Sequence, residues 1–140
     1  MATHKVKTSW VDGLVFDSQI GEHTIRVQGS VAKGDRQGPG PKALLLTSLT
    51  GCTGMDVVSL MDKMRVDYTG FEVSAEADLT DEHPKNYKSI HLTYRVEGPN
   101  AEKKADKVLK SINLSLDRYC GVAFMLRKHC PITFDIVFVG

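Results

Sequence analysis

From Lys42 to about Arg65 the apolar residues Leu45, Leu49, Val57, Leu60, Met61 and Met64 recur at three, four and longer helical steps, and Leu44, Leu46 and Val58 widen the stripe. A repeat of this period predicts an amphipathic helix. This one is apolar over so wide an arc that most of it is expected to be buried. One small sheet cannot cover it, which makes a partner subunit a natural expectation. Gly51 and Gly54 flank Cys52 in its interior. Each glycine costs about 1 kcal/mol there relative to alanine, so the pair implies a close helix crossing or access for a ligand.

The segments around this helix read as strands and one further helix. Val6–Trp10, Leu14–Ile20 and Thr24–Gln28 are short β-rich runs separated by Asp12-Gly13 and Gly21-Glu22, the turn signals of an antiparallel meander. Lys33 to Pro41 is too rich in Gly and Pro for regular structure and reads as a loop, with Pro41 suited to a helix first turn. Phe71, Val73, Ala75, Ala77 and Leu79 alternate with polar residues, as do Ile90, Leu92, Tyr94 and Val96, giving two strands joined through a polar loop at Asp81–Asn86. Asn100 is placed to cap a second helix whose apolar face is Ala105, Val108, Leu109, Ile112 and Leu116. That pattern continues past Cys120 towards Leu126 with a kink expected near Gly121, and Ile132, Phe134, Ile136 and Phe138 form a last strand. The order defines an α+β chain, with residues 1–140 as a single domain.

Charge and composition remove several function classes. The formal net charge is +1 with no run of one sign, so neither a nucleic acid backbone nor an anionic membrane is an expected partner. The N-terminus lacks the apolar core of a signal peptide, and no apolar run reads as long enough to span a bilayer. A cytoplasmic location is expected. Three cysteines without short regular spacing do not make a secreted disulfide framework, so they are expected to be reduced at the outset.

Cys52 and Cys120 both sit in apolar, helix-patterned stretches. A thiol held on a rigid apolar element can be a tuned nucleophile, and a second thiol nearby can close a disulfide onto it. The plain alternative is that each is a small buried hydrophobe. If Cys52 attacks a peroxide it needs a lowered pKa and a second thiol to resolve the sulfenic acid, and Cys120 is the natural resolver. Asp56 follows Cys52 by one helical turn and would raise its pKa, so a cation must dominate, with Arg36 and Lys42 as candidates. His129-Cys130 lacks the spacing of metal ligands, and no metal or cofactor is expected. His4, His23, His83 and His91 read as surface residues. No Ser-His-Asp set, Walker loop or Gly-x-Gly-x-x-Gly run appears, which counts against hydrolase and nucleotide-enzyme readings.

Nearly the whole chain resembles the OsmC/Ohr family, in particular its short OsmC-like branch. The resemblance is carried by Gly38-Pro39-Gly40-Pro41-Lys42-Ala43-Leu44-Leu45-Leu46, by Leu49-Thr50-Gly51-Cys52-Thr53-Gly54-Met55-Asp56-Val57-Val58, and by Tyr119-Cys120-Gly121-Val122. It implies an OsmC-like fold of curved antiparallel sheets around two central helices, in an intertwined homodimer. It also implies reduction of organic hydroperoxides by a peroxidatic Cys52, resolved by Cys120 through an intramolecular disulfide and restored by a dithiol reductant. The characterised peroxidases of the family carry a glutamate ten residues before the first cysteine and an arginine in the first hairpin. This chain has Lys42 and Val11-Asp12-Gly13 there. The alternative is a non-catalytic stress-related or small apolar ligand-binding protein on the same fold.

Overall fold

The structure is a computed structural model that describes residues 1–30 and 36–140. The part of the expected loop between Lys33 and Asp35 lies outside the described residues. The contacts group into two compact units, Met1–Leu45 and Leu46–Gly140.

The first unit is the expected meander. β1 (Val6–Asp12), β2 (Val15–Ile20) and β3 (His23–Gln28) pair antiparallel in the order β1-β2-β3. Both turns carry a glycine with positive φ, Gly13 at 50° and Gly21 at 61°, which is the conformation that tight hairpins demand and that side chains resist. Arg26 on β3 donates through Nε and Nη2 to the two carboxylate oxygens of Asp17 at 2.7 and 2.9 Å, and through Nη1 to Gln37 Oε1. The segment after β3 is strapped to the sheet by Gln28 N–H donating to Pro39 O at 3.0 Å and Gln37 N–H donating to Gln28 Oε1. Gly38 is required there, since a Cβ would stand 2.3 Å from Arg26 O. Only Val15 and Gln28 are buried in this sheet, while Val6, Trp10, Val11 and Leu14 are exposed.

α1 (Pro41–Lys63) runs through the boundary of the two units, begins on Pro41 as expected and ends in a Schellman closure. Val66 N–H donates to Met61 O and Arg65 N–H to Asp62 O, with Arg65 in the left-handed region at φ 59°. Leu49, Thr53, Val57 and Met61, one residue per turn, are its buried stripe. The rest of the helix is not buried within the chain: Leu45 and Met55 are 47% and 75% exposed. By length and composition α1 is also apolar enough to cross a membrane, which corrects the sequence reading of its apolar run as too short. A soluble core helix passes the same test, and the buried stripe belongs to a protein core.

In the second unit β4 (Gly70–Leu79) pairs antiparallel with β5 (Tyr87–Glu97), and β6 (Ile132–Val139) lies parallel to β5. The sheet is therefore mixed, where wholly antiparallel sheets were expected. The chain between β5 and β6 runs through helices, the crossover that a parallel pair requires. As the central strand, β5 buries Ile90, Leu92, Tyr94 and Val96 on one face. These pack with the α1 stripe and with Val108 and Ile112 of α2 (Ala105–Leu114) in one cluster.

Two helix expectations are corrected. Asn100 caps nothing by its side chain; a 3-10 turn at Glu102–Lys104 precedes α2, with Ala101 as its N-cap residue. Cys120 is not inside a second helix. A π-helical turn at Ser115–Tyr119 follows α2, the chain turns extended at Cys120 (ψ 102°), and α3 (Gly121–Arg127) starts afresh.

Candidate functional site

Cys52 and Asp56 share one side of α1 because they stand one turn apart. Cys120 reaches them from the break between the π-turn and α3. The π-turn closes with Cys120 N–H donating to Ser115 O at 2.7 Å, and such wide turns recur at functional sites. The outcome is a convergence: the sulfurs of Cys52 and Cys120 and a carboxylate oxygen of Asp56 all lie within 4.8 Å of one another. The two thiols are not bonded.

Their surroundings differ. Cys52 is half-buried and Cys120 only 3% exposed. Burial pushes the Cys120 thiol up to about 11; the Ala123 N–H, donating to Cys120 Sγ at 3.4 Å, opposes that rise, and Cys52 and Asp56 add to it. Cys120 is thus the N-cap of α3 as well as a member of the site. A cavity of about 270 Å³ opens on it between Leu116, Phe124, Arg127 and Lys128.

A buried hydroxyl chain backs the cluster. Ser115 Oγ donates to Asp56 Oδ2 at 2.9 Å, Thr53 Oγ1 lies 2.7 Å from Ser115 Oγ, and Tyr94 OH lies 2.8 Å from Thr53 Oγ1. Because Ser115 donates to Asp56, the protons run one way, from Tyr94 to Thr53 to Ser115 to Asp56. Burial raises the Tyr94 phenol to about 12, so it serves as a donor across the ordinary pH range. Its ring is fixed by Phe71, stacked at 6.4 Å, and by Phe134, edge-on at 5.9 Å.

The cations expected from sequence are not in this cluster's unit. Arg36 and Lys42 belong to the first unit and are exposed. The guanidinium whose charge reaches the hydroxyl chain is Arg127, which acts on Tyr94 and donates from Nη1 to Leu116 O and Asp117 Oδ1, each at 3.0 Å. Sequence reading missed Arg127, Thr53, Tyr94 and Ser115, because only the fold brings strand β5 and the π-turn to the middle of α1. His129 is held by Asn86 and Tyr87 O, and Cys130 is buried apart from the cluster that holds Cys52 and Cys120. His91 bridges Thr133 and Asp135 on the exposed sheet face.

Fold and site together define an α+β protein with two thiols and a carboxylate converging on a helix. The chain belongs to the OsmC-like family: residues 33–135 match the family profile described as OsmC-like protein, a match that runs through both units. It is 34% identical over 131 residues to protein YhfA of Escherichia coli K12, covering 92% of this chain and 93% of that one. Among solved structures, an OsmC-like protein from Mycoplasma pneumoniae superposes with a TM-score of 0.82 at 14% identity over 99% of both chains. An organic hydroperoxide resistance protein OsmC from Legionella pneumophila, described also as a predicted redox protein, superposes with a TM-score of 0.68 at 13% identity over 98% of both.

Proposed function

We propose that this chain is a thiol-dependent organic hydroperoxide reductase, acting in the cytoplasm as a homodimer of single OsmC-like domains. One observation carries the proposal: the sulfurs of Cys52 and Cys120 already stand within 4.8 Å, so small side-chain movements bring them to the 2.0–2.1 Å of a disulfide, in order of magnitude a few ångströms. Access and protonation divide the roles. Cys52 is the more accessible thiol and attacks the peroxide, while Cys120, buried and protonated, resolves.

The Cys52 thiolate attacks the distal peroxide oxygen; the O–O bond breaks, the alcohol leaves with a proton, and the sulfur is oxidised to sulfenic acid. Cys120 Sγ then attacks Cys52 Sγ, its proton joins the departing hydroxide as water, and a disulfide forms. A dithiol reductant returns both electrons by exchange. Names of structural relatives support this chemistry. Treating reduced protein with cumene hydroperoxide should give the Cys52–Cys120 disulfide, and Cys52→Ser should abolish peroxide consumption. Unchanged thiols after excess peroxide would overturn the reading.

The homodimer is supported by apolar surface left open within the chain: Met55 and Leu45 on α1, and Trp10, Val11 and Leu14 in the meander.

A second reading has its own observation. An open groove of about 420 Å³ runs along Gly51, Gly54, Met55 and Val58 of α1 beside Phe71 and Val73 of β4. Its apolar walls suit a small apolar ligand, and Lys42 in place of the family's glutamate favours binding without catalysis. The rate of Cys52 alkylation against pH separates the two: thiolate reactivity at neutral pH favours the reductase, a protonated thiol the binding protein.

A further inference from the structure

We infer that the reduced chain holds a thiophilic divalent cation of the zinc class between Cys52 Sγ, Cys120 Sγ and a carboxylate oxygen of Asp56. The inference goes beyond the reductase reading and stands without it. Three donors from two separate parts of the fold already converge within 4.8 Å. Zinc binds sulfur at about 2.3 Å and carboxylate oxygen at about 2.0–2.2 Å, which sets neighbouring donors of a tetrahedral ion roughly 3.5–3.8 Å apart. Side-chain rotations that move each atom by on the order of 1 Å therefore close the site.

The donor set has a preference. Two thiolates select a soft or borderline ion over magnesium or calcium, which take oxygen ligands. Cys52 and Asp56, one turn apart on α1, supply two ligands from a rigid frame, and Cys120 supplies the third from the N-cap of α3. A fourth position stays open for water, the arrangement of three protein ligands that leaves zinc reactive.

The surrounding shell has the parts such a site uses. Ser115 Oγ donates to Asp56 Oδ2 and is itself held by Thr53, which fixes the carboxylate. Ala123 N–H donates to Cys120 Sγ, a bond that a thiolate accepts better than a thiol. On binding, each thiol releases its proton to solvent and no electron moves. A disulfide would use the same two sulfurs, so oxidation and metal occupancy exclude one another, and peroxide would release the ion.

The test uses reduced, metal-free protein titrated with Zn²⁺ against a chromophoric chelator, and with Co²⁺ followed by absorption. Expected are one ion per chain and a thiolate-to-cobalt charge-transfer band with tetrahedral ligand-field bands. Cys52→Ser and Cys120→Ser should each remove that binding, Cys130→Ser should leave it intact, and Ser115→Ala should weaken it about tenfold. Because the cluster is partly buried, the wild-type chain before and after alkylation of Cys52 gives a comparison without substitution, and alkylated protein should not bind. Three results would overturn the inference: zinc binding no tighter than that of the alkylated chain, a cobalt spectrum without thiolate charge transfer, or binding that survives Cys52→Ser and is lost in Cys130→Ser.

Discussion

Cys120 keeps its proton in the folded chain well beyond the pH at which a free thiol loses it, because burial penalises the thiolate. The folded value of about 11 lies above the ordinary 9.0, so folding binds the proton through that interval. Its contribution to stability is complete below about pH 9 and lost as pH rises towards about 11, an effect of order 2 kcal/mol. Urea unfolding at pH 8 and at pH 10.5 should show a loss of stability that Cys120→Ala lessens; an unchanged loss in that variant would assign the slope to other groups. Ser115 is the joint of the hydroxyl chain, fully buried between Thr53 and Asp56. Ser115→Ala removes the acceptor of the buried Thr53 hydroxyl and a donor to Asp56, and should lower stability by about 1–3 kcal/mol in thermal or urea unfolding.

At the scale of elements, α1 closes on an arginine where glycine is the usual occupant. A side chain in the left-handed region costs roughly 1 kcal/mol, and the main-chain bonds of the closure do not involve the Arg65 side chain. Arg65→Gly should therefore raise stability by up to about 0.5 kcal/mol once glycine's greater unfolded-state freedom, about 0.5–1 kcal/mol, is subtracted. A lower melting temperature in that variant would show that the arginine side chain makes a stabilising contact of its own. The break at Cys120 has the opposite character. A continuous helix through this point would carry the sulfur around a regular spiral, whereas the π-turn and the extended Cys120 backbone set it opposite Asp56. Restoring a regular helix there would cost the site before it cost the fold.

For the whole molecule, the proposed homodimer makes a distinction between two kinds of apolar residue on α1. Leu49 is fully buried within its own chain, so charging it unfolds the protein whatever its oligomeric state. Met55 is 75% exposed within the chain, so charging it leaves the chain's own core intact and acts through association. Met55→Asp should convert a dimer in sedimentation to monomer or to insoluble protein, because folding and association of such assemblies are linked. A wild-type chain that sediments as a stably folded monomer at micromolar concentration would remove the dimer from the proposal.

How much of this was legible beforehand follows from the range of the interactions involved. Strand alternation, the Gly turns of the meander, the Pro41 start of α1 and the α+β order are local, written in periods of two and of about three and a half residues, and the sequence by itself determined them. Cys52 and Cys120 were legible as candidates because each lies in an apolar context that few reactive residues share. Their approach within 4.8 Å, by contrast, depends on the crossover that lays β6 parallel to β5 and on a break that no helical period announces. The same holds for Thr53, Tyr94, Ser115 and Arg127. A serine, a threonine and a tyrosine carry no sequence signal for being joined, since hydrogen bonds between side chains far apart in the chain are made only when packing has removed water from around them. Tertiary structure alone decided which of the chain's polar groups would face its thiols.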